Sequence, residues 1–365
     1  MKTVITTVGT SLIDNYQKEN KYSLNNHKNY LKFPQKKKDK DHNRKIKGNI
    51  SDWLSNRSNA SAEISSLLKI QEREKDELKV ILITTDTIAS NLCAEILEKF
   101  FEQKENFNIN KVYSISKLNI NSKNDFVKKG IPNLIIRLTS ILENNYNPIF
   151  NITGGYKGII PLLTIYSAVN DCEINYIYED SNELITIPQL PIKIDMNFVE
   201  KYYDYLKTLE NGIENYHKIK SKEFEKYDNL EKHGFIEIVD NIGILSPIGN
   251  IFLKKYQSQF NIFYCPDEVW KKIQNQKEIQ RLLKEKFNTN IWEYKTEAKQ
   301  DHFVYDDGNN NNRIYFFKNQ ENTYIYKTFE NEEKAKDFIT TNIDKEKIMA
   351  QSNKRKLTKK ESKNV

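Results

Sequence analysis

The strongest constraint on how this chain can fold is a repeated motif: an unbroken β-branched or apolar run, closed by small or hydroxylated residues, then an amphipathic stretch. "TVITTV" (Thr3–Val8) runs into Gly9-Thr10-Ser11, and "LKVILITTDT" (Leu78–Thr87) closes on Thr84-Thr85-Asp86-Thr87. "NPIFNIT" (Asn147–Thr153) runs into Gly154-Gly155-Tyr156-Lys157. A strand without polar alternation is one covered on both faces, as in a parallel sheet flanked by helices. The stretches between carry helical stripes: Leu92, Ala94, Ile96 and Leu97, then Leu134, Ile135, Leu138 and Ile141, then "GIIPLLTIYSAV" from Gly158. "KVYSISKL" (Lys111–Leu118), "EINYIYED" (Glu173–Asp180) and "LITIPQL" (Leu184–Leu190) read as further strands. Strand–helix alternation over residues 1–195 predicts an α/β, Rossmann-like domain with a mostly parallel sheet.

After residue 195 the pattern changes. Residues 196–258 begin with charged helical stretches and continue as "LEKHGFIEIVDNIGILSPIGNIFLKKY". A helix ending at Gly234, a tight hairpin turning at Asp240-Asn241 and a helix starting at Pro247 predict a winged-helix segment. Such a module binds DNA or acts as a rigid connector; the lack of a notably basic recognition helix favours the connector. Residues 259–350 predict a compact α+β unit. It has helices at 266–274 and 277–287, strands at 291–297 ("IWEYKTE"), 312–319 ("NRIYFFKN") and 323–330 ("TYIYKTFE"), and a helix at 332–341. Residues 351–365 read as a basic tail, and 15–57 as a polar insertion without periodicity.

The formal charge of +7 over 365 residues favours anionic partners, although the excess sits in two local clusters, Lys36–Lys47 and Lys354–Lys363. Cys93, Cys172 and Cys265 lie far apart with no metal-ligand spacing, as packing thiols of a reducing compartment do. The chain opens Met1-Lys2 directly into a strand and contains no apolar run of about 18 residues. A cytoplasmic protein without a membrane partner is expected.

In an open parallel sheet, ligands bind beyond the carboxyl ends of the strands. Three turns hold that position and share one chemistry: Gly9-Thr10-Ser11, Thr85-Asp86-Thr87 and Gly154-Gly155-Tyr156-Lys157. Glycine allows close backbone approach, helix-start N–H groups and hydroxyls suit phosphate oxygens, and Lys157 adds a point charge. The set predicts a site for a phosphate-bearing ligand, although neither G-x-G-x-x-G nor G-x-x-x-x-G-K-[ST] is present.

"VITTVGTSL", "TTDT" and "NITGGYKGIIP" together resemble the CARF domain of type III CRISPR ancillary effectors. The resemblance covers residues 1–195. It implies a homodimer binding a cyclic oligoadenylate second messenger, cyclic tetra-adenylate being the commonest, in CRISPR antiviral defence. The positions it implies for the ligand are Gly9, Thr10, Ser11, Leu12, Gly154, Gly155, Tyr156 and Lys157, with Thr85 and Asp86 beside them. Some such domains also cleave their ligand, and Ser11 and Lys157 are the positions suited to that activity.

CARF proteins usually carry an effector domain. A HEPN ribonuclease needs R-x₄₋₆-H, and none of the five histidines follows an arginine at that spacing. Glu293-x-Lys295 fits only the last element of a metal-dependent PD-(D/E)xK nuclease. The order helix, helix, three strands, helix is more similar to RelE, the mRNA interferase fold. That resemblance implies a metal-independent endoribonuclease acting on mRNA at the ribosome, with the RNA 2′-hydroxyl as nucleophile and no cofactor beyond the activator. It places Arg313 on the strand that stabilises the transition state and Lys295 as base or phosphate clamp, with Lys318 and Lys327 in reserve. Glu330-Asn331-Glu332 stands where relatives have a basic pair, so the general acid is open among Tyr305, Tyr326 and His302. Two rival readings are a metal-dependent nuclease on the same sensor and a non-enzymatic regulator using sensor and winged helix.

Overall fold

The computed structural model describes residues 1–20, 39–55, 57–119, 122–178, 183–189, 195–287, 292, 294–299, 302–306, 312–319 and 322–359. The chain divides into two compact units, Met1–Lys255 and Tyr256–Val365.

The first unit is built on a six-stranded sheet. Its strands are β1 (Lys2–Val8), β2 (Leu78–Thr84), β3 (Phe107–Ser114), β4 (Ile149–Asn151), β5 (Glu173–Ile177) and β6 (Leu184–Ile187). Their order is β3-β2-β1-β4-β5-β6; neighbours are parallel except β5 and β6. The α/β architecture with a mostly parallel sheet is therefore the one the alternation predicted. The pleat explains the unbroken apolar runs. Val4, Val8, Leu78, Val80 and Leu82 join one core cluster, while Ile5, Ile81, Ile83 and Phe150 join the other. Side chains alternate between faces, and both faces are covered, so the runs stay apolar or β-branched, and the polar residues they do hold, Thr6, Thr7 and Asn151 among them, are themselves buried.

Helix α1 (Ser11–Asn20) follows β1, and α2 (Asp39–Leu54) lies inside the stretch read as an insertion. Ile46, Ile50 and Leu54 of α2 are buried in the first cluster, so this part is core rather than polar decoration. The spacing i, i+4, i+8 of those three residues makes the stripe. Residues 21–38, with the Lys36–Lys38 part of the basic cluster, lie outside the described residues. Helix α3 (Ala62–Glu74) is capped by Ser61, whose side chain accepts the Ile64 N–H. Helices α4 (Ile88–Glu102), α5 (Ile131–Leu142) and α6 (Ile160–Val169) complete the layers.

Residues 203–245 supply α7 (Tyr203–Glu210), α8 (Tyr216–Lys222), α9 (Phe224–Lys232) and the hairpin β7 (Ile236–Val239) and β8 (Ile242–Leu245). Gly234 closes α9 at φ 72°, and Asp240 and Asn241 at φ 54° and 60° form the tight turn. Both central residues in the left-handed region are what a hairpin turn matching strand twist requires. The helix α10 (Pro247–Gln259) starts at the proline. Helices, hairpin and turn thus stand where the sequence puts them, and up to Lys255 they share one compact unit with the sheet.

The second unit has its own six-stranded sheet: β9 (Phe260–Pro266), β10 (Thr296–Lys299), β11 (His302–Asp306), β12 (Arg313–Asn319), β13 (Asn322–Phe329) and β14 (Ser352–Thr358). The order is β10-β11-β12-β13-β9-β14, antiparallel throughout except for β13 against β9. Helices α11 (Asp267–Asn275) and α12 (Lys277–Glu285) cover one face through Val269, Ile273, Ile279, Leu282 and Leu283. On the other face, α13 (Glu332–Phe338) and α14 (Lys345–Gln351) contribute Ala335, Phe338, Ile348 and Met349.

Three expectations need correction. The strand expected at 291–297 is helical at Trp292 and Tyr294, and β10 begins only at Thr296. The basic tail is not a tail through its first part: Ser352–Thr358 is a strand paired residue by residue with β9. Aromatic neighbours shelter two of its cationic stems, Arg355 over Trp270 at 5.5 Å and Lys356 over Phe260 at 4.9 Å. The sheet also contains β9 and β11, which were not foreseen; Phe260–Pro266 mixes Asn, Tyr and Cys and carries no clean alternation.

Candidate functional site

In the first unit the order reverses direction between β1 and β4: β2 and β3 lie to one side, β4, β5 and β6 to the other. This is the topological switch point, where the loops leaving neighbouring strands diverge and open a crevice. The loops leaving β1 and β4 are the Gly9-Thr10-Ser11 and Gly154–Lys157 turns. They touch: a Cβ on Gly9 would sit 2.7 Å from the Gly155 nitrogen. Gly155 itself has φ 100° and would drive a Cβ to 2.9 Å from that of Thr7. Glycine is needed at both places, by contact at Gly9 and by conformation at Gly155.

Polar bonds fix the pair. The Thr7 hydroxyl donates to the Gly154 carbonyl at 2.5 Å. Beneath the turns stands Glu63, in the first turn of α3 and 1% exposed. Its carboxylate accepts the Gly9 N–H at 2.7 Å and the Ser11 hydroxyl at 2.9 Å. Gly154 lies so close that a Cβ there would be 2.0 Å from the Glu63 Oε1. Two more residues on the same side of α3 reach the sheet. Ser66 accepts from the Asn151 amide at 2.8 Å, and Arg73 donates to Asn175 and Thr186 at 3.0 and 2.7 Å. Arg73 also pairs with Glu173 and Glu74.

The other named positions divide by exposure. Leu12 is buried in the core and offers a ligand nothing, because the start of α1 packs it inward. The Thr10 hydroxyl donates to Asp14 at 2.9 Å, an internal bond of the first helical turn. Tyr156 and Lys157 are exposed, with the Tyr156 ring edge-on to Phe126 at 5.8 Å. The third turn is tied to the first: the Ser90 hydroxyl donates to the Val8 carbonyl at 2.7 Å and accepts the Thr85 N–H at 3.1 Å. Asp86 faces the loop after β3, accepting the Lys117 N–H at 2.8 Å. That bond turns its carboxylate to bracing rather than to the Gly9–Gly155 contact.

In the second unit, register decides which cations share a face. Arg313 opposes Phe329 and Tyr315 opposes Lys327, so Arg313 and Lys327 are diagonal neighbours on the face carrying α13. An irregularity in the β12–β13 pairing between Tyr315 and Phe316 lets both Tyr326 and Lys327 reach this side. The Lys327 ammonium lies over the Phe338 ring at 5.4 Å. Lys318 falls on the opposite face, 4.3 Å over Trp292. Lys295 is in the turn before β10 rather than on a strand, two strands from β12 and so about 10 Å away. The structure therefore brings together Arg313 and Lys327 and separates Lys318 from them. Glu293 lies outside the described residues.

The three residues left open as general acid also separate. Tyr305 is buried in the α11–α12 core. His302 and Tyr326 bond to each other, Nδ1 to hydroxyl at 2.6 Å, on the Arg313 face. His302 is 1% exposed, and its Nε2 has no hydrogen-bond partner among the described residues. Tyr315 closes the cluster by donating to the Ala335 carbonyl at 2.7 Å.

All three cysteines are free and buried. Burial pushes Cys172 up to about 12 and Cys265 up to about 11, Arg355 pulling the latter partly back. Thiols held so high are packing groups at neutral pH. No described helix is long and apolar enough to cross a membrane.

Residues 58–190 match the model of a family described as CRISPR-associated protein (Cas_APE2256). The matched segment contains α3 with Glu63, the β2–α4 turn and the Gly154–Lys157 turn, so the first unit is similar to a CRISPR-associated family. No curated protein matches the chain.

Proposed function

We propose that the first unit is a CARF-type sensor of a cyclic oligoadenylate, with cyclic tetra-adenylate the leading ligand, and that the second is a RelE-like endoribonuclease acting on mRNA. One observation carries the reading. At the switch point of the sheet, Gly9 and Gly155 bring two turns into backbone contact, and Lys157 stands exposed beside them. The glycines let the backbone come close to a ligand, and an exposed ammonium beside them suits a phosphate-bearing one. The CRISPR-associated family match over the same turn supports a messenger of that system as the ligand. The ligand's two-fold symmetry suits a homodimer with these turns facing across the axis.

For the second unit, the placement of Arg313 and Lys327 on one sheet face supports phosphoryl chemistry carried by side-chain cations. Arg313 stabilises the charge that gathers on the phosphate as the 2′-hydroxyl attacks, and Lys327 adds a second positive charge. The Tyr326–His302 pair lies next to them and is the group best placed to hold a proton. Messenger binding shifts the effector toward its active state.

The test is direct. The full chain is added to a translation extract with and without cyclic tetra-adenylate, and RNA 5′ ends are mapped. Cleavage within translated mRNA is expected only with the messenger, and it persists with a chelator present. Lys157→Ala weakens the response to messenger about tenfold, and Arg313→Ala lowers cleavage about a hundredfold at saturating messenger. Chelator-sensitive cleavage sinks the metal-free reading; no messenger dependence sinks the sensor.

A further inference from the structure

Glu63 belongs to no motif, yet the candidate ligand turns converge on it. Its two carboxylate oxygens hold the Gly9 N–H and the Ser11 hydroxyl, and Gly154 rests against Oε1 with no room for a methyl group. The Ser11 oxygen in turn accepts the Ala62 N–H at 3.4 Å, which closes a ring between the start of α1 and the start of α3. The first helical turn offers partial positive charge to a buried carboxylate, and Ser61 caps the same turn.

This geometry changes which groups face a ligand. The Gly9 N–H and Ser11 hydroxyl, which a phosphate would have used, are already bonded to a protein anion. An N–H has one proton to donate, and a second anion drawn to the same groups would meet the Glu63 charge at short range in a water-poor setting. Tyr156 and Lys157 are the exposed members of the turn pair. The two turns are thus shaped from below and charged from the side.

We infer that Glu63 is a positioning residue of the ligand site: it clamps the Gly9–Ser11 turn to the Gly154 turn and thereby assigns the ligand's phosphate charge to the Lys157 side. The ligand's identity rests on the function proposed above; the clamp does not. The test uses the full chain with Glu63→Ala and Glu63→Gln, read two ways. Amide hydrogen exchange without ligand is expected to speed up about tenfold at residues 9–12 and 154–156 in Glu63→Ala, with other segments of the sheet unchanged. Glu63→Gln keeps the reach, accepting from Gly9 and donating to Ser11, and stays within about threefold of wild type. Titration with cyclic tetra-adenylate is expected to show the same ranking, about tenfold weaker for Ala and restored by Gln. If Glu63→Ala does not fold, Glu63→Asp, one methylene too short to span the ring, replaces it with the same expectation. Unchanged exchange at both turns, failure of Gln to restore them, or tighter binding by the Ala variant overturns the inference. Tighter binding would mean that the carboxylate blocks the ligand rather than shaping its site. A wild-type chain that ignores cyclic tetra-adenylate while the exchange pattern holds rejects the proposed ligand and leaves the clamp standing.

Discussion

In the first unit the candidate site is made of backbone: two glycine turns, fixed by a hydroxyl, a buried carboxylate and close contact, with only Tyr156 and Lys157 projecting from them. In the second, backbone groups are consumed by sheet pairing, and the candidate chemistry rests on side chains standing on one face, Arg313, Lys327, Tyr326 and His302. The difference predicts how each tolerates change. A site made of backbone fails when a methyl group is added beneath it and is indifferent to most surface substitutions. A site made of side chains fails one residue at a time, and its sheet survives.

The sharpest way to break the comparison is Gly154→Ala. The new Cβ must displace the buried Glu63 carboxylate, so the first unit loses about 3 kcal/mol and cyclic tetra-adenylate binding disappears. Thermal melting and titration check both, and a variant that melts and binds like wild type would show that the turn is not tightly built. Next comes a matched pair in the second unit. Lys327→Met lowers RNA cleavage at least tenfold, whereas Lys318→Met, on the opposite face, leaves it within about twofold; equal losses would remove the face argument. Tyr326→Phe deletes the partner of the His302 Nδ1 and costs the second unit about 1–3 kcal/mol by leaving a buried ring nitrogen unpaired. Denaturant unfolding monitored in that unit reads the loss.

The smallest effect is a pH effect and belongs to the first unit. Burial works to raise the Glu210 carboxyl, but Lys254 and Lys207 outweigh it and hold the group below its usual value of 4.5. A carboxylate lowered on folding stabilises above its unfolded value and loses that contribution as pH falls through the folded one. Melting of the first unit should therefore fall off below about pH 4.5, and Glu210→Gln should flatten that slope at a cost of about 1 kcal/mol at neutral pH.

The parallel sheet was legible because double burial writes itself as runs with no polar break, and the candidate turns because glycines and hydroxyls at strand ends have few other uses. Glu63 was not legible. It stands in a helix rich in Glu and Ser, and no motif separates a carboxylate turned under two glycines from the other polar residues of that helix. The signal that could have found it is its offset from Ser66 and Arg73, which puts three polar residues on the side of α3 that meets the sheet. In the second unit β9 was missed because its buried side carries Asn261, Phe263 and Cys265, so the alternation in burial is not written as apolar against polar. Lys327 could be named, but its face could not. The irregularity beside Tyr326 shifts it across the sheet, and a slip of one residue is invisible without the partner strand.

The pairing of β14 with β9 has a consequence for the order of events during synthesis. The first strand of the second unit is completed along one side only by Ser352–Thr358, the last strand described. The first unit, by contrast, takes its whole sheet from residues before 188. Chains fold from the N-terminus as they emerge, at about 5–20 residues per second, so a folded first unit precedes the second by several seconds. Over that interval the face that will carry Arg313 and Lys327 belongs to an unfinished sheet, while the glycine turns of the first unit are already in place.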